Sequence, residues 1–285
     1  MSADTLRVYR HSGKFTLQGL ALPLGAAAVA GWPLGLAYAF LTHWIPFIYF
    51  NVLLAFGYGA AFGWLGVWLL KLGKVRNTAL TVLCGALVGA IALYFEWNGH
   101  LTLLFKPAPW LLAPDQIRRG IAYLYEHGSW SLHSGDPVTG VPLGLVWAAE
   151  AAIIVGMSIV LPYGFIATTP FCEQAQCWLD EEKKIDTLAV FTDAAQIGAL
   201  GAGDIQPIVD AKPRPAGALS FARISLKRSP QSTQLATVRV QNVFIEIAGK
   251  GNAKEKVQPL TGDLIILPSM FEIIAQLEEL KPAPA

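Results

Sequence analysis

Residues 170 to 178 read PFCEQAQCW and hold two of the chain's three cysteines. Two thiols with four residues between them have the spacing of half a metal site or of a redox pair. A structural zinc site takes four ligands, usually as two pairs spaced by two to four residues. Beyond residue 178 there is neither Cys nor His, and the five histidines, His11, His43, His100, His127 and His133, all come earlier. Cys172 and Cys177 are therefore expected to bind zinc only if another chain completes the set. Two other readings stand beside that one: a cytosolic thiol switch, although such pairs are more often Cys-x-x-Cys, or two small buried apolar residues.

A second stretch bears on the first. KRSPQSTQ places Ser229, Pro230, Gln231 and Ser232 between two segments with strand character. Cys-Pro-x-Cys in such a turn is a zinc knuckle, and the serines stand where its cysteines would be. The domain would then be a degenerate zinc-ribbon relative, which requires Cys172 and Ser229 to sit at the same end of it. Ser-Pro is equally an ordinary turn signal.

Glu150 is the other residue whose type demands a reason. It lies about nine residues into an apolar run from Val141 to Ile166. A carboxyl at that depth is costly in lipid and is either paired or functional. Tyr38, Tyr49, Asn51, Tyr58 and Tyr94 are the available hydrogen-bond partners, and one such carboxyl alone is thin for an ion relay. Glu96 stands at the end of another apolar run and is read as needing no special account. Other chemistry is scarce. GALGAG at 198 to 203 lacks the phosphate-loop pattern. His127 and His133, with Asp136 and Glu126, are spaced for no particular metal. No enzymatic constellation is expected.

The elements that must position these residues follow from composition. The chain has 285 residues, 54% hydrophobic and 14% charged, against about 25% charged in a soluble domain. A net charge of +1 makes no electrostatic case for nucleic acid. Crossing a bilayer takes about 20 apolar residues in a helix. Four runs qualify, at about 17–41, 45–70, 79–95 and 141–166, the first interrupted by Pro23 and Pro33. The first two make an antiparallel hairpin. Gly31 and Gly35, Gly59 and Gly63, and Gly85 and Gly89 form small-xxx-small pairs, as do Gly140 and Gly144, which predicts close helix packing rather than a pore. Asn77 is placed to cap the third helix.

Basic residues set the expected orientation. Arg7, Arg10 and Lys14 precede the first run, and Lys71, Lys74 and Arg76 fill the second link, which puts both termini in the cytoplasm and lets that link meet anionic lipid. Lys183 and Lys184 agree. The 96–140 loop is then extracytoplasmic. Within it, DQIRRGIAYLYEHG sets Ile117, Ile121, Leu124 and Tyr125 at helical spacing, with Asp115 as cap and Gly128 as stop, and suits an interfacial helix.

From residue 171 the chain turns hydrophilic. Glu173 to Lys184 reads as a solvated helical exit, with Phe171 and Trp178 as interfacial anchors. Short helices follow, then strands around Leu219 to Phe221 and Val238 to Val240, a turn at GKGNAK, a short DLIILP strand and a final amphipathic helix with Phe271, Ile274, Leu277 and Leu280 inward. The expected architecture is a membrane all-α four-helix bundle, 17–170, behind a 16-residue tail, and a small cytoplasmic α+β domain, 171–285.

HWIPFIYFNVLLAFGYGAAFG followed by LLKLGKVRN resembles a family of uncharacterised bacterial polytopic inner-membrane proteins. The likeness covers roughly the first 170 residues and implies a bacterial cytoplasmic membrane, with no activity attached. The expected function is a membrane-anchored interaction, regulatory or scaffold protein within a larger assembly or homo-oligomer, with no cofactor of its own. The alternatives are a transport or channel component using Glu150, and a redox or metal sensor using Cys172 and Cys177.

Overall fold

The computed structural model describes residues 6–45, 48–106, 111–128, 130, 136–247 and 253–280. His133 and most of the expected GKGNAK turn fall outside them. The chain divides into two compact units, 12–168 and a second made of 1–11 with 169–285.

The first unit holds four helices long and apolar enough to cross a membrane: α1 (Leu17–Trp44), α2 (Ile48–Leu72), α3 (Thr78–Phe105) and α5 (Gly140–Thr168). A shorter helix, α4 (Pro114–His127), precedes the last of them. The prolines expected to interrupt α1 do not break it; Pro23 and Pro33 both lie inside one continuous helix. Long apolar helices tolerate such residues because neighbours re-satisfy the freed backbone groups. Thr16 caps the start, its Oγ1 accepting from the Gly19 amide at 2.9 Å and donating to Gly73 O at 3.0 Å. Asn77 caps α3 through the Leu80 amide at 3.0 Å. That helix runs ten residues past the apolar stretch, so Glu96 stands inside it rather than at an end. Helix α1 packs against α3 and α2, and α5 packs against α2 and α3.

The amphipathic α4 has Pro114 at its first turn, with Gln116 Oε1 accepting from the Ala113 amide at 2.8 Å. Asp115, expected as the cap, instead pairs with Arg119 at 2.8 Å one turn on. Ile117 and Leu124 are buried in a cluster with Leu101 and Leu112, joined by Trp97 and Trp147. Tyr125 is half exposed.

The second unit opens with a two-residue-deep hairpin, β1 (Phe171–Cys172) and β2 (Cys177–Trp178). Strand β3 (Glu181–Leu188) comes next. This corrects the expected helical exit: Glu181 to Lys184 pair with β4 (Ser220–Arg228) in antiparallel register, Glu181 opposite Arg228. Charged residues suit the strand because it is an edge, and Ile185 and Leu188 supply its buried contacts. Phe171 and Trp178 are no interfacial anchors either. Both are buried and stack edge-on at 5.0 Å within the hairpin.

Strand β5 (Ala236–Ile247) is the long centre of the sheet. One side pairs β4, and the other is shared between β7 (Leu264–Ile266) and β6 (Ala253–Pro259). Strand β6 was not foreseen, because AKEKVQP is exposed along its whole length and carries no apolar alternation. Helices α6 (Ala194–Gly201), α7 (Gln206–Val209) and α8 (Pro268–Ala275) complete a core with Ile224, Leu226, Val238, Val240, Leu200, Ile208, Phe271 and Ile274. Leu277 and Leu280 are partly buried against it.

The N-terminal residues belong to this unit rather than to a separate tail. Val8 bridges Leu264, the Tyr9 amide donates to Asp263 O at 2.7 Å, and the Ile265 amide donates to Arg7 O at 2.8 Å. The Tyr9 hydroxyl accepts from the Phe171 amide at 2.9 Å. Residues 6–11 are thus tied into one fold with the segment that follows residue 168.

Candidate functional site

Four helices bring polar side chains to the interior of the first unit. Of the partners open to Glu150, the structure selects Tyr38, whose hydroxyl donates to Glu150 Oε1. Tyr38 on α1 stacks on Tyr58 of α2, with ring centroids 4.7 Å apart. Tyr58 spends its own hydroxyl hydrogen on Ala92 O of α3 at 2.9 Å. Tyr94 donates to Leu112 O at 2.7 Å and Tyr49 is exposed, so neither serves Glu150. Asn51 Oδ1 is buried without a hydrogen-bond partner among the described residues.

Glu96 is the residue that sequence reading passed over. It is buried on α3, within electrostatic reach of Glu150, Tyr38 and Tyr58. The signal that could have found it was the unbroken helical pattern through Glu96, Trp97 and Asn98, which carries the carboxyl more than two turns inside the end of the helix at Phe105. Among the described residues neither Glu96 nor Glu150 makes an ion pair. Two carboxyls and two phenols from four helices thus gather inside the bundle, with Tyr38 and Glu150 joined by a hydrogen bond.

The glycines explain how the helices come close enough to build it. A methyl group on Gly85 would lie 2.6 Å from Ser158 O, and one on Gly63 would lie 2.6 Å from Met157 O. Gly31 and Gly35 face Phe95, Gly59 faces Ile154, and Gly89 faces Val155. Gly144 meets the Tyr125 ring, whereas Gly140 adopts φ +63 at the start of α5 and meets nothing. Close backbone approach is the role that small-xxx-small spacing predicts.

The remaining predicted residues are spread out. Lys71 Nζ lies over the Phe165 ring, 5.6 Å from its centroid. Lys74 takes a left-handed backbone in the link, and Arg76 is buried with its amide donating to Lys14 O at 2.8 Å. Cys172 and Cys177 are buried free thiols directly opposite each other in the β1–β2 hairpin. His127 stacks on Tyr123 at 4.2 Å. Among the described residues no group of three or more His, Cys, Asp or Glu is gathered for a metal ion.

No family model matches this chain, and neither a curated protein nor a solved structure resembles it at a significant level.

Proposed function

We propose that the chain is a membrane-anchored interaction module, in which a helical bundle holds a small α+β domain at one membrane face for a protein partner or a second copy. The observation that carries this reading is that residues 6–11 and the segment from 169 onward build one domain. The chain leaves that domain through α1 and returns to it through α5, so four crossings deliver both ends to the same side. The basic link of Lys71, Lys74 and Arg76 supports a cytoplasmic placement of that side by the positive-inside bias. The setting that fits is a bacterial inner membrane, with lipid as the bundle's partner and no nucleic acid involved.

The test is copurification of the full chain from native membranes under gentle detergent, followed by mass spectrometry. A partner or a second copy should be retained in fixed ratio, and retention should survive Glu150→Gln. A chain that always isolates alone as a monomer would defeat the reading.

One observation favours a second reading, a proton-coupled component of a transport system: the Tyr38–Glu150 hydrogen bond with Glu96 beside it. In vesicles, Glu150→Gln would then abolish proton uptake while leaving the amount of protein unchanged.

A further inference from the structure

One end of the β-sheet carries two turns that the proposed function leaves unused. The β1–β2 hairpin sets Cys172 opposite Cys177, both buried. The Ala175 amide approaches Cys172 Sγ at 3.5 Å, an N–H turned toward sulfur from inside the loop. The β4–β5 connection repeats this arrangement in oxygen. Ser229 and Ser232 are 5% and 6% exposed, unusual burial for a turn. The Gln231 amide approaches Ser229 Oγ at 3.4 Å, and the Leu235 amide donates to Ser232 Oγ at 3.2 Å. The turn closes through the Ser232 amide on Ser229 O at 3.0 Å.

Register brings the two turns together. Glu181 pairs with Arg228, so Ser229 continues β4 toward the residues that join the hairpin to β3. Lys227 pairs with Thr237, which sets Leu235 across from Ser229. Leu235 in turn packs against the buried cluster of Cys172, Cys177 and Leu179. A Cys-x-x-x-x-Cys hairpin and a Ser-Pro-x-Ser turn therefore share one end of three adjacent strands.

The geometry points to a zinc-ribbon frame at this end, with Ser229 and Ser232 standing where a second pair of thiolates would complete a tetrahedral site for a thiophilic d10 cation such as Zn2+ or Cd2+. A neutral hydroxyl is a poor ligand for such an ion, since ligands bind deprotonated and thiolates are the softer donors. In the native chain the Ser232 hydroxyl instead donates to Leu235 O at 3.3 Å while accepting from the Leu235 amide, and the turn is held by hydrogen bonds. The inference is independent of what the domain binds.

The experiment replaces the oxygens. The full chain carrying Ser229→Cys and Ser232→Cys, purified reduced in detergent, is titrated with Zn2+ and with Co2+. About one Zn2+ per chain is expected, with the intense visible bands of tetrahedral cobalt thiolate, and adding Cys172→Ser should weaken binding at least tenfold. A folded double variant that takes up no more metal than the native chain overturns the proposal. So does a native chain that already holds one equivalent of zinc, because the serines would not then be a replaced half. Should the double variant fail to fold, proximity is read in a milder one. With Cys84→Ala and Cys172→Ser as background, Ser232→Cys leaves two thiols. Dibromobimane, fluorescent only when both arms react, should bridge the introduced thiol to Cys177. Single labelling at each thiol without a bridge also overturns the proposal.

Discussion

The Tyr38 hydroxyl on α1 donates to the Glu150 carboxyl on α5, joining two helices more than a hundred residues apart in the chain. Around it, Tyr58 stacks on Tyr38 and Glu96 lies within electrostatic reach. The bond gives a half-buried carboxyl inside the bundle a phenol donor.

Removing the donor tests its worth. Tyr38→Phe keeps the ring stack and deletes only the hydroxyl. Interhelical hydrogen bonds in membranes are worth about 0.6 to 2 kcal/mol, and Tyr38→Phe should destabilise the bundle by that order. A double-mutant cycle with Glu150→Gln, read by unfolding in mixed micelles, should show coupling between the two positions. Additive effects would mean that the hydrogen bond contributes nothing to stability.

Helix contact should be sensitive to a single methyl at some glycines and indifferent at others. Gly85→Ala puts a carbon against Ser158 O, where the backbones of α3 and α5 already touch. Overpacking of this kind costs about 1 to 3 kcal/mol. Gly156→Ala, with nothing within 4 Å of the added methyl, should be neutral or slightly stabilising. Thermal unfolding of the two variants side by side checks this, and equal melting would disprove the contact.

The N-terminal segment should stabilise the second unit. Tyr9→Phe takes the hydroxyl oxygen away from the Phe171 amide. The expected cost is about 0.5 to 1.5 kcal/mol. Pulsed thiol labelling reads it locally: Cys172 and Cys177 should react several-fold faster, while Cys84 in the helical unit keeps its native rate. Equal acceleration at all three would show a global effect instead.

A partly exposed network should give the domain an acid-sensitive contribution. The Arg223 guanidinium grips Asp186 through two bonds of 2.9 Å and Glu255 through bonds of 2.8 and 3.2 Å. Arg223 beside it holds the Glu255 carboxyl below the ordinary carboxylate range. A carboxyl depressed on folding contributes stability that is fully present above its unfolded value, about pH 4.3, and is lost as pH falls through the folded value. Urea unfolding followed by Cys177 labelling should therefore weaken on acidification below about pH 4.3. Glu255→Gln should flatten that part of the curve, and salt should shrink the difference. A variant with an unchanged acid limb would refute the link.

Much of the helical unit was legible in the sequence, because length and lack of charge are local properties. The run from Ile45 to Leu70 declares a helix wherever its neighbours lie, and Asn77 announces the start of α3 by its place before an apolar stretch. The end of α3 was less visible, since Glu96 and Asn98 look like surface residues until other helices cover them. The second unit was harder still. Glu181 to Lys184 carry no strand signal of their own, and β6 carries none at all, because edge positions are chosen for solvent and take their conformation from the partner across the ladder.

The sequence by itself determined where the chain is apolar enough to cross a membrane, where glycine lets backbones meet, and that two thiols stand with four residues between them. Only the tertiary structure decided that Glu150 pairs with Tyr38, that Glu96 joins them, that residues 6–11 complete the second unit, and that the Ser229–Ser232 turn shares an end of the sheet with Cys172 and Cys177. The division has one physical cause. Hydrophobic run length is summed along the chain, whereas a polar group's role is set by whichever groups from distant segments satisfy it once water has been excluded.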